Sequence, residues 1–296
     1  MSDDGRQPAA PSGPTVAPSV GAEPLLDDQR GEERFAPPSV TGDAEGLHAF
    51  SLSGCTAMVT GVSRGIGRAL AIGLATAGAD LVLAGRPGSL DDTRGAIEDR
   101  GRDVSTLELD LADPERVANL RLEDEVPGDV DILVNNAGVI HREDALSVDA
   151  NDWSRVLDVN LTSLFLLTRN VAAPMLARGR GKIINIASLL SFEGGLGVSS
   201  YAASKHGVAG LTRALSNEWA SRGVQVNAIA PGYIVTDNTA QLRADPERSK
   251  SIDDRIPAGR WGVPSDLIGA AVFLASSASN YVTGHVLFVD GGWSGR

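Results

Sequence analysis

An apolar run that passes directly into a glycine-rich turn and then into a helical segment constrains this chain more than any other feature. The turn spans Thr60–Gly67 and reads Thr-Gly-Val-Ser-Arg-Gly-Ile-Gly. Its glycines permit a tight turn and a close approach of other atoms to the backbone, and the following helix offers unpaired N–H groups at its N-terminus. Glycines also serve ordinary turns. Between a strand and a helix, however, this arrangement indicates a site for the pyrophosphate of a dinucleotide.

The alternation of apolar runs and amphipathic segments continues from Leu47 to Arg296. It predicts strands at Thr56–Thr60, Asp80–Ala84, Ser105–Leu109, Ile132–Asn135, Lys182–Ala187, Gln225–Ala230 and His285–Val289. It predicts helices at Gly65–Ala77, Leu90–Arg100, Pro114–Glu125, Trp153–Arg178, Tyr201–Arg222 and Ser265–Ser276. Strands that are apolar along their whole length are expected in parallel sheets, which helices cover on both faces. We therefore predict one α/β domain at 47–296, a Rossmann-type doubly wound parallel sheet with helices on both faces.

Residues 1–46 have a different composition. They contain seven of the 15 prolines, nine acidic residues and three arginines, and such a segment cannot bury enough apolar surface to offset its ordering entropy. With three positive and nine negative charges, they account for −6 of the net charge of −12. We predict a disordered, acidic, proline-rich tail. This tail either regulates the protein or binds a partner, or it is a passive extension. A start codon assigned too early is the remaining alternative.

The composition disfavours several classes of function. A net charge of −12 argues against binding to nucleic acids and anionic membranes. The sequence has no apolar run of about 18 residues with which to cross a membrane, and its N-terminal residues lack the pattern of a secretory signal. The single cysteine, Cys55, cannot form an intramolecular disulfide, and the four histidines are scattered, so no metal centre is predicted. We expect a cytoplasmic protein.

Tyr201 and Lys205 carry the predicted chemistry. They are four residues apart in a helical segment, so their side chains project from the same helix face. A tyrosine with its ordinary pKa of about 10 is a weak base near neutral pH, but a neighbouring ammonium favours the phenolate. Ser188 ends the fifth predicted strand, at the edge of a parallel sheet where ligands bind. Its hydroxyl can therefore hold the reacting oxygen beside the phenol.

These motifs together resemble the short-chain dehydrogenase/reductase family. The resemblance rests on the glycine spacing at Thr60–Gly67, on Asn-Asn-Ala-Gly at 135–138 and on Tyr-Ala-Ala-Ser-Lys at 201–205. It implies an enzyme that transfers a hydride between a nicotinamide cofactor and a secondary alcohol or ketone. The catalytic tetrad that it implies is Asn160, Ser188, Tyr201 and Lys205.

The resemblance also implies the cofactor contacts and the assembly. The implied contacts are Gly61, Ser63, Arg64, Gly65, Ile66, Gly67, Arg86, Asp110, Leu111, Asn136, Ala137, Gly138, Tyr201, Lys205, Pro231, Gly232, Ile234 and Thr236.

Members of the family usually form homodimers or homotetramers through long helices, which correspond here to Trp153–Arg178 and Tyr201–Arg222. We expect the same of this chain.

The choice between NADP(H) and NAD(H) depends on the end of the second predicted strand. An acidic residue there would bond the ribose hydroxyls of NAD and repel the 2′-phosphate of NADP. The strand instead ends Leu-Ala-Gly-Arg at 83–86, with no carboxylate at that place. Arg86 and Arg64 can both face a 2′-phosphate, because a guanidinium matches phosphate geometry; alternatively, both are ordinary surface arginines. NADP(H) is favoured, and NAD(H) is the alternative.

The segments around the tetrad narrow the substrate. Residues 141–144, 181–195 and 230–233 resemble the sugar-acid dehydrogenases of the family, which implies a deoxy-keto sugar acid of the 2-dehydro-3-deoxy-D-gluconate or 2-deoxy-D-gluconate type. A carboxylate needs a cationic partner, and Arg142 is the first choice because it follows the strand that flanks the nicotinamide. The alternatives are Arg243, Arg255 and Arg260, and each of the four arginines can instead pair with a nearby acid. The predicted substrate contacts are Arg142, Ser188, Leu190, Glu193, Tyr233 and Gln241.

Two other functions fit parts of the sequence. A 3-oxoacyl carrier-protein reductase, or another secondary-alcohol dehydrogenase, has the same fold and tetrad. The mild acidity of the domain disfavours docking of an acidic carrier protein. A cofactor sensor or scaffold that has lost catalysis is a further alternative. Such a protein should lack a member of the tetrad, whereas all four residues are present.

Overall fold

Seven parallel strands lie at the centre of the computed structural model, which describes residues 45–296. The strands are β1 (Thr56–Thr60), β2 (Asp80–Gly85), β3 (Val104–Glu108), β4 (Ile132–Asn135), β5 (Gly181–Ile186), β6 (Val224–Pro231) and β7 (Val286–Val289). Their order across the sheet is β3-β2-β1-β4-β5-β6-β7, and every neighbouring pair is parallel. The chain reverses its direction of travel across the sheet between β1 and β4, which is where such sheets bind ligands. The predicted doubly wound fold is confirmed.

Helices cover both faces of this sheet. They are α1 (Glu45–His48), α2 (Gly65–Thr76), α3 (Asp91–Glu98), α4 (Pro114–Ala118), α5 (Leu122–Glu125), α6 (Ala150–Leu157), α7 (Ser163–Arg178), α8 (Ser199–Trp219), α9 (Ala240–Ala244), α10 (Pro246–Asp253) and α11 (Ile268–Ala275). Side chains of β1 alternate between the faces: Ala57 and Val59 pack with α2, α3 and α11, whereas Met58 packs with α4, α7 and α8. Burial on both faces explains why the strands are continuous apolar runs.

A chain of buried amides and hydroxyls crosses the interior between β4 and β5. Asn135 and Asn185 are opposite each other in the two strands, and Asn135 Nδ2 donates to Asn185 Oδ1 at 2.9 Å. Asn135 Nδ2 also donates to Thr168 Oγ1 of α7 at 2.8 Å, and Asn185 Nδ2 donates to Thr212 Oγ1 of α8 at 2.9 Å. All four side chains are buried. The chain therefore connects two central strands to the two helices that flank the site.

The strand bounds agree with the predictions to within one residue at either end. The helix predicted at Pro114–Glu125 is wrong as one element, because it breaks between α4 and α5. Leu120 turns into the core there, with 5% of its surface exposed, and Arg121 takes an extended backbone conformation. The helix predicted at Trp153–Arg178 begins earlier, at Ala150, and contains a π-helical stretch at Asp158–Thr162.

Two short helices, α9 and α10, lie in the segment after β6, for which the sequence patterns predict neither a strand nor a helix. Helix α10 begins at Pro246, and the Asp245 carboxylate accepts hydrogen bonds from the N–H groups of Glu247 and Arg248 at 3.1 and 3.0 Å. Asp-Pro at the start of a helix is a recognised capping pattern, so the sequence did carry a signal for this helix.

The predicted tail, residues 1–46, lies outside the described residues except for Glu45 and Gly46, which belong to α1. Among the described residues, the first hydrogen bonds between this end of the chain and a distant segment of the domain are made by Ala49. The Ala49 carbonyl accepts from Ala278 N and Ser277 Oγ at 3.1 and 3.0 Å. In the part of the chain that the structure describes, no helix is long and apolar enough to span a bilayer.

Candidate active site

A cleft of about 680 Å³ opens at the carboxyl ends of the central strands. The predicted cofactor residues on its wall are Gly61, Ser63, Arg64, Gly65, Ile66, Gly67, Arg86, Asp110, Leu111, Asn136, Ala137, Gly138, Tyr201, Lys205 and Thr236. Sequence reasoning missed other wall residues, including Ser89, Ala112, Val139, Ile140, Asp152, Arg155 and Asn238. Ser89 had a detectable signal, since Arg-Pro-Gly-Ser after β2 is a turn with a hydroxyl at its end. The others face the cleft because of the fold and belong to no motif.

The glycine turn forms a cradle that no larger residue could form. Gly61 has a positive φ of +68°, and a Cβ there would lie 2.8 Å from the Ala137 Cα. A Cβ on Gly67 would collide with the Gly61 carbonyl oxygen and the Asn136 side-chain amide. Arg64 stands at the N-cap of α2 and makes no side-chain capping bond, and the first residues of the helix, Gly65, Ile66 and Gly67, line the cleft. These features fit the pyrophosphate of a dinucleotide.

Asn136 fastens the end of β4 to the end of β1. Its Nδ2 donates to the carbonyl oxygens of Thr60 and Gly61 at 2.9 and 3.1 Å. The Thr60 hydroxyl oxygen in turn accepts from the backbone N–H groups of Asn136 and Ala137, each at 3.0 Å. The two walls of the cleft therefore keep a fixed separation.

The two arginines predicted for a 2′-phosphate are in different situations. Arg64 Nε lies 2.9 Å from Asp237 Oδ2, and both side chains are exposed. Arg86 is exposed at the end of β2. Within residues 45–296, no carboxylate lies within ion-pair distance of Arg86. Arg86 is therefore the cation better placed to receive a phosphate.

Tyr201 and Lys205 lie on one face of α8, as their spacing predicted. Lys205 is 4% exposed, and its Nζ donates to the Ile186 carbonyl at the end of β5 at 2.6 Å. The same nitrogen is 5.6 Å from the centroid of the Tyr201 ring. Burial lowers the pKa of Lys205 to about 8, because it disfavours the charged form. The ammonium therefore stays mostly charged at neutral pH beside the phenol.

Three influences act on the Tyr201 phenol. Burial is the largest and raises its pKa, whereas the neighbouring Ser188 hydroxyl and the positive charge of Arg142 both act to lower it. Ser188 begins a 3₁₀ turn at Leu189–Ser191, and its Oγ accepts from Leu190 N at 3.1 Å. The structure therefore brings Ser188, Tyr201 and Arg142 together, although they come from three separate segments of the chain.

Asn160 lies in the π-helical stretch and is completely buried. Its Oδ1 accepts from Val139 N at 2.8 Å, while its Nδ2 donates to Val139 O and Ser204 Oγ at 2.9 and 3.1 Å. These bonds hold the loop after β4 against α8. The wider π-turn, which commonly occurs at functional sites, had no signal in the sequence.

Three predicted cofactor residues are not on the cleft wall: Pro231, Gly232 and Ile234. Gly232 packs against the Asp290 backbone, where a Cβ would lie 2.6 Å from the Asp290 Cα. Ile234 is 5% exposed and pairs with Gly262 in an isolated bridge. Their contact with a cofactor therefore stays a prediction.

Apart from Arg142 and Ser188, the predicted substrate residues divide into two groups. Tyr233 packs against Trp261 and Trp293, with ring centroids 5.3 and 4.7 Å away. Glu193 accepts a hydrogen bond from Trp293 Nε1 at 3.1 Å and lies 3.7 Å from an Arg255 nitrogen. These side chains form an aromatic and ionic cluster beside the tetrad. Leu190 and Gln241 stand apart: Leu190 packs near Gly195, and Gln241 is exposed on α9.

The four candidate arginines are not equally free. Arg255 pairs with Glu193, Arg260 pairs with Asp266 at 2.7 Å, and Arg243 donates to the Thr236 carbonyl at 3.2 Å. Arg142 Nη2 has only a long contact, 3.5 Å, with the Asn238 carbonyl among the described residues. Burial raises the pKa of both Tyr201 and Tyr233, and the charge of Arg142 acts in the opposite direction on each. Arg142 is therefore the cation best available for a substrate carboxylate.

One group of side chains, His141, Glu143 and Asp152, has potential metal-ligand atoms within 4.8 Å of one another. His141 Nε2 lies 2.9 Å from Glu143 Oε2, and this hydrogen bond raises the pKa of His141. An acid–histidine hydrogen bond accounts for the pair. The spacing of the histidines in the sequence could not reveal this group, because Asp152 comes from α6.

Comparison with known proteins identifies the family. A family model described as enoyl-(acyl carrier protein) reductase matches residues 61–294, which is most of the folded domain. Gly61–Gly67, all four tetrad residues and the strands β2 to β7 lie within that match. The chain belongs to the short-chain dehydrogenase/reductase family, as its motifs predicted.

Individual relatives are similar over nearly their whole length. The chain is 55% identical over 251 residues to 2-dehydro-3-deoxy-D-gluconate 5-dehydrogenase of Bacillus subtilis, a match that spans 84% of this chain and 99% of that protein. It is 52% identical to the enzyme of the same name from Escherichia coli, with the same coverage. A gluconate 5-dehydrogenase from Burkholderia cenocepacia, crystallised with NADP and tartrate, is 40% identical with a TM-score of 0.80, and the match spans 84% of this chain and 99% of that one.

Proposed function

We propose that this protein is an NADP(H)-dependent oxidoreductase acting on a secondary alcohol or ketone of a deoxy-keto sugar acid, of the 2-dehydro-3-deoxy-D-gluconate or 2-deoxy-D-gluconate type. One observation carries the proposal: Tyr201 and Lys205 line a cleft suited to a dinucleotide, and Ser188 and Arg142 both act on the Tyr201 phenol. The 55% identity with a 2-dehydro-3-deoxy-D-gluconate 5-dehydrogenase supports the substrate class. The NADP in the Burkholderia structure supports the cofactor.

Proton transfer is the task of Tyr201. In oxidation, its phenolate accepts the proton of the substrate hydroxyl while the Ser188 hydroxyl holds the reacting oxygen. A bound nicotinamide supplies the hydride acceptor in this direction and the hydride donor in the reverse one. In reduction, the Tyr201 phenol donates its proton to the substrate oxygen. The Lys205 ammonium stabilises the phenolate in both directions.

Asn160 organises the site around this step. Its side chain is engaged by the Val139 backbone and by Ser204, so it holds the β4 loop and α8 in a fixed relation. A proton path through water bound near Asn160 towards Lys205 stays a prediction.

A substrate panel with both cofactors tests the proposal. Change in nicotinamide absorbance should follow the addition of a deoxy-keto sugar acid, and it should be larger than with hydroxyacyl thioesters or simple alcohols. Preference for a thioester would favour the 3-oxoacyl carrier-protein reductase alternative. Cofactor binding without turnover of any substrate would favour the sensor alternative.

Arg86→Ala is expected to raise the KM for NADP(H) about 10- to 100-fold and to leave the KM for NAD(H) unchanged. The reason is the loss of one charge-assisted contact with the 2′-phosphate. Steady-state kinetics with each cofactor would measure this effect. Arg64→Ala is the matched control, and its effect should be smaller because Arg64 is paired with Asp237. Equal KM values for wild type and Arg86→Ala would remove Arg86 from the phosphate site.

Arg142→Gln is expected to raise the KM for a sugar acid about tenfold or more, because the substrate carboxylate loses its cationic partner.

The same substitution should also move the pH profile of oxidation to higher pH. Oxidation needs the Tyr201 phenolate, so its rate falls as pH drops below the pKa of Tyr201. The Arg142 charge lowers that pKa, and its removal should therefore shift the falling limb to higher pH.

The control for this substitution is Arg260→Gln, since Arg260 is paired with Asp266. It should change neither the KM nor the pH profile. An unchanged KM in Arg142→Gln would exclude Arg142 as the carboxylate partner.

We also propose that the enzyme works in the cytoplasm as a homodimer or homotetramer. The single cysteine is consistent with a reducing compartment. Trp153 of α6 and Phe165 of α7 are each 38% exposed and could pack against a second subunit. Light scattering of the full chain would give the subunit count. A monomer at micromolar concentration would contradict the assembly.

A further inference from the structure

The Ser191 hydroxyl connects two members of the tetrad through their backbones. Its Oγ accepts a hydrogen bond from Ser188 N at 3.3 Å and donates to the Lys205 carbonyl at 2.7 Å. Ser191 is 4% exposed, so water cannot readily replace either partner. One hydroxyl thus joins the first residue of the 3₁₀ turn to the catalytic face of α8.

This connection determines how Ser188 faces Tyr201. The Ser188 Oγ already accepts from Leu190 N, which leaves its hydrogen to point towards the phenol or the substrate oxygen. The turn itself is short, and its Ser191 N donates to the Ser188 carbonyl at 3.0 Å. These bonds shape the turn internally, but neither fixes the turn relative to α8. The hydrogen bond from Ser191 to the Lys205 carbonyl joins the turn to α8. It can form alongside the helical hydrogen bond of that carbonyl, because a carbonyl oxygen accepts two hydrogen bonds.

We propose that Ser191 is a positioning residue that orients the Ser188 hydroxyl towards Tyr201 by anchoring the Ser188 turn to α8. This inference rests on the proposed acid–base role of Tyr201. Alanine at position 191 would leave the Ser188 N–H without its acceptor and would free the turn from the helix. Ser188 would then spend less time bonded to the phenol, and its effect on Tyr201 would weaken.

The alternative is that Ser191 contributes only to stability, like other buried hydroxyls. Ser279 is a suitable comparison: it is completely buried and its Oγ donates to the Leu274 and Ser276 carbonyls, each at 3.1 Å. It lies beside Lys182, near the amino end of β5 and hence at the opposite edge of the sheet from the tetrad. Ser279→Ala should lower the thermal midpoint without any effect on Tyr201.

Titration of Tyr201 tests the proposal without turnover. The chain contains three tyrosines, so the double variant Tyr233→Phe, Tyr281→Phe leaves Tyr201 as the sole phenol. Ultraviolet absorbance of the phenolate then reports its pKa directly. In this background we would compare Ser191→Ala, Ser191→Thr, Ser188→Ala and Ser279→Ala, and measure the thermal midpoint of each.

Ser191→Ala and Ser188→Ala are both expected to raise the pKa of Tyr201, by about half a unit to one unit, which is the effect of losing one hydrogen bond. Ser191→Thr retains the hydroxyl and should restore the original value, and Ser279→Ala should leave it unchanged. In the enzyme with all its tyrosines, Ser191→Ala should lower kcat and leave the KM for the cofactor unchanged.

The proposal would be overturned by an unchanged pKa in Ser191→Ala, by a Ser191→Thr variant that behaves like alanine, or by an equal shift in Ser279→Ala. Failure of the proposed function looks different. If the wild-type enzyme turns over no sugar acid, the substrate assignment is lost, but the titration still decides the role of Ser191.

Discussion

Tyr201→Phe is expected to lower kcat by about 10²- to 10⁴-fold, the usual contribution of a positioned acid–base group. The phenylalanine ring keeps the packing of the tyrosine ring and removes only the hydroxyl that exchanges the proton. Cofactor affinity should therefore change little, because the Lys205 ammonium and the glycine cradle are untouched. Stopped-flow or steady-state kinetics would give kcat, and fluorescence of the reduced nicotinamide would give the Kd.

The matched control is Tyr281→Phe. Tyr281 is fully exposed, and loss of its hydroxyl should leave kcat, KM and the thermal midpoint at their wild-type values. If Tyr201→Phe kept more than a tenth of the wild-type kcat, another group would have to carry the proton and the assignment of Tyr201 would be wrong.

Gly67→Ala is expected to raise the Kd of the cofactor about 100-fold, which corresponds to about 3 kcal/mol of strain from one added methyl group. That methyl group would overlap both the Gly61 carbonyl oxygen and the Asn136 side-chain amide. To relieve the overlap, the turn must move away from β4, and the N-terminus of α2 moves with it. The Kd should be measured by calorimetry with oxidised and reduced cofactor.

Gly95→Ala provides the control for this experiment. Gly95 lies inside α3, and an added Cβ would meet nothing within 4 Å. This variant should bind the cofactor normally and gain about 0.5–1 kcal/mol in stability, because alanine suits a helix interior better than glycine. A Gly67→Ala variant with unchanged affinity would show that the turn is not pressed against the pyrophosphate.

The sequence predicted what depends on periodicity and local chemistry. Strands such as β1 and β4 were located to the residue, because buried parallel strands are apolar throughout and end at glycine or asparagine turns. The glycine cradle and the Tyr201–Lys205 pair were predicted for the same reason: each is a short motif whose geometry follows from residue spacing alone.

Features that arise from tertiary packing were not predictable in this way. The π-helical stretch contains Asn160, whose side-chain amide bonds to the Val139 backbone, a contact between segments that are distant in the sequence. Likewise, nothing local distinguishes Arg142 from Arg260, and only the fold shows that Arg260 is paired with Asp266. The predicted cofactor contacts of Pro231 and Ile234 rest on the resemblance alone, because neither residue lines the cleft.

The buried amide pair between β4 and β5 has a consequence for how this enzyme can evolve. Replacing Asn135 or Asn185 alone with an apolar residue leaves the remaining amide without its partner in the interior, which costs about 1–3 kcal/mol. Replacing both amides can be nearly neutral only if Thr168 and Thr212, whose buried hydroxyl oxygens accept from them, are replaced by apolar residues as well. The four positions should therefore change together or not at all. A lineage that replaces these polar side chains one at a time must pass through a destabilised protein, unless compensating stability is already present elsewhere in the domain.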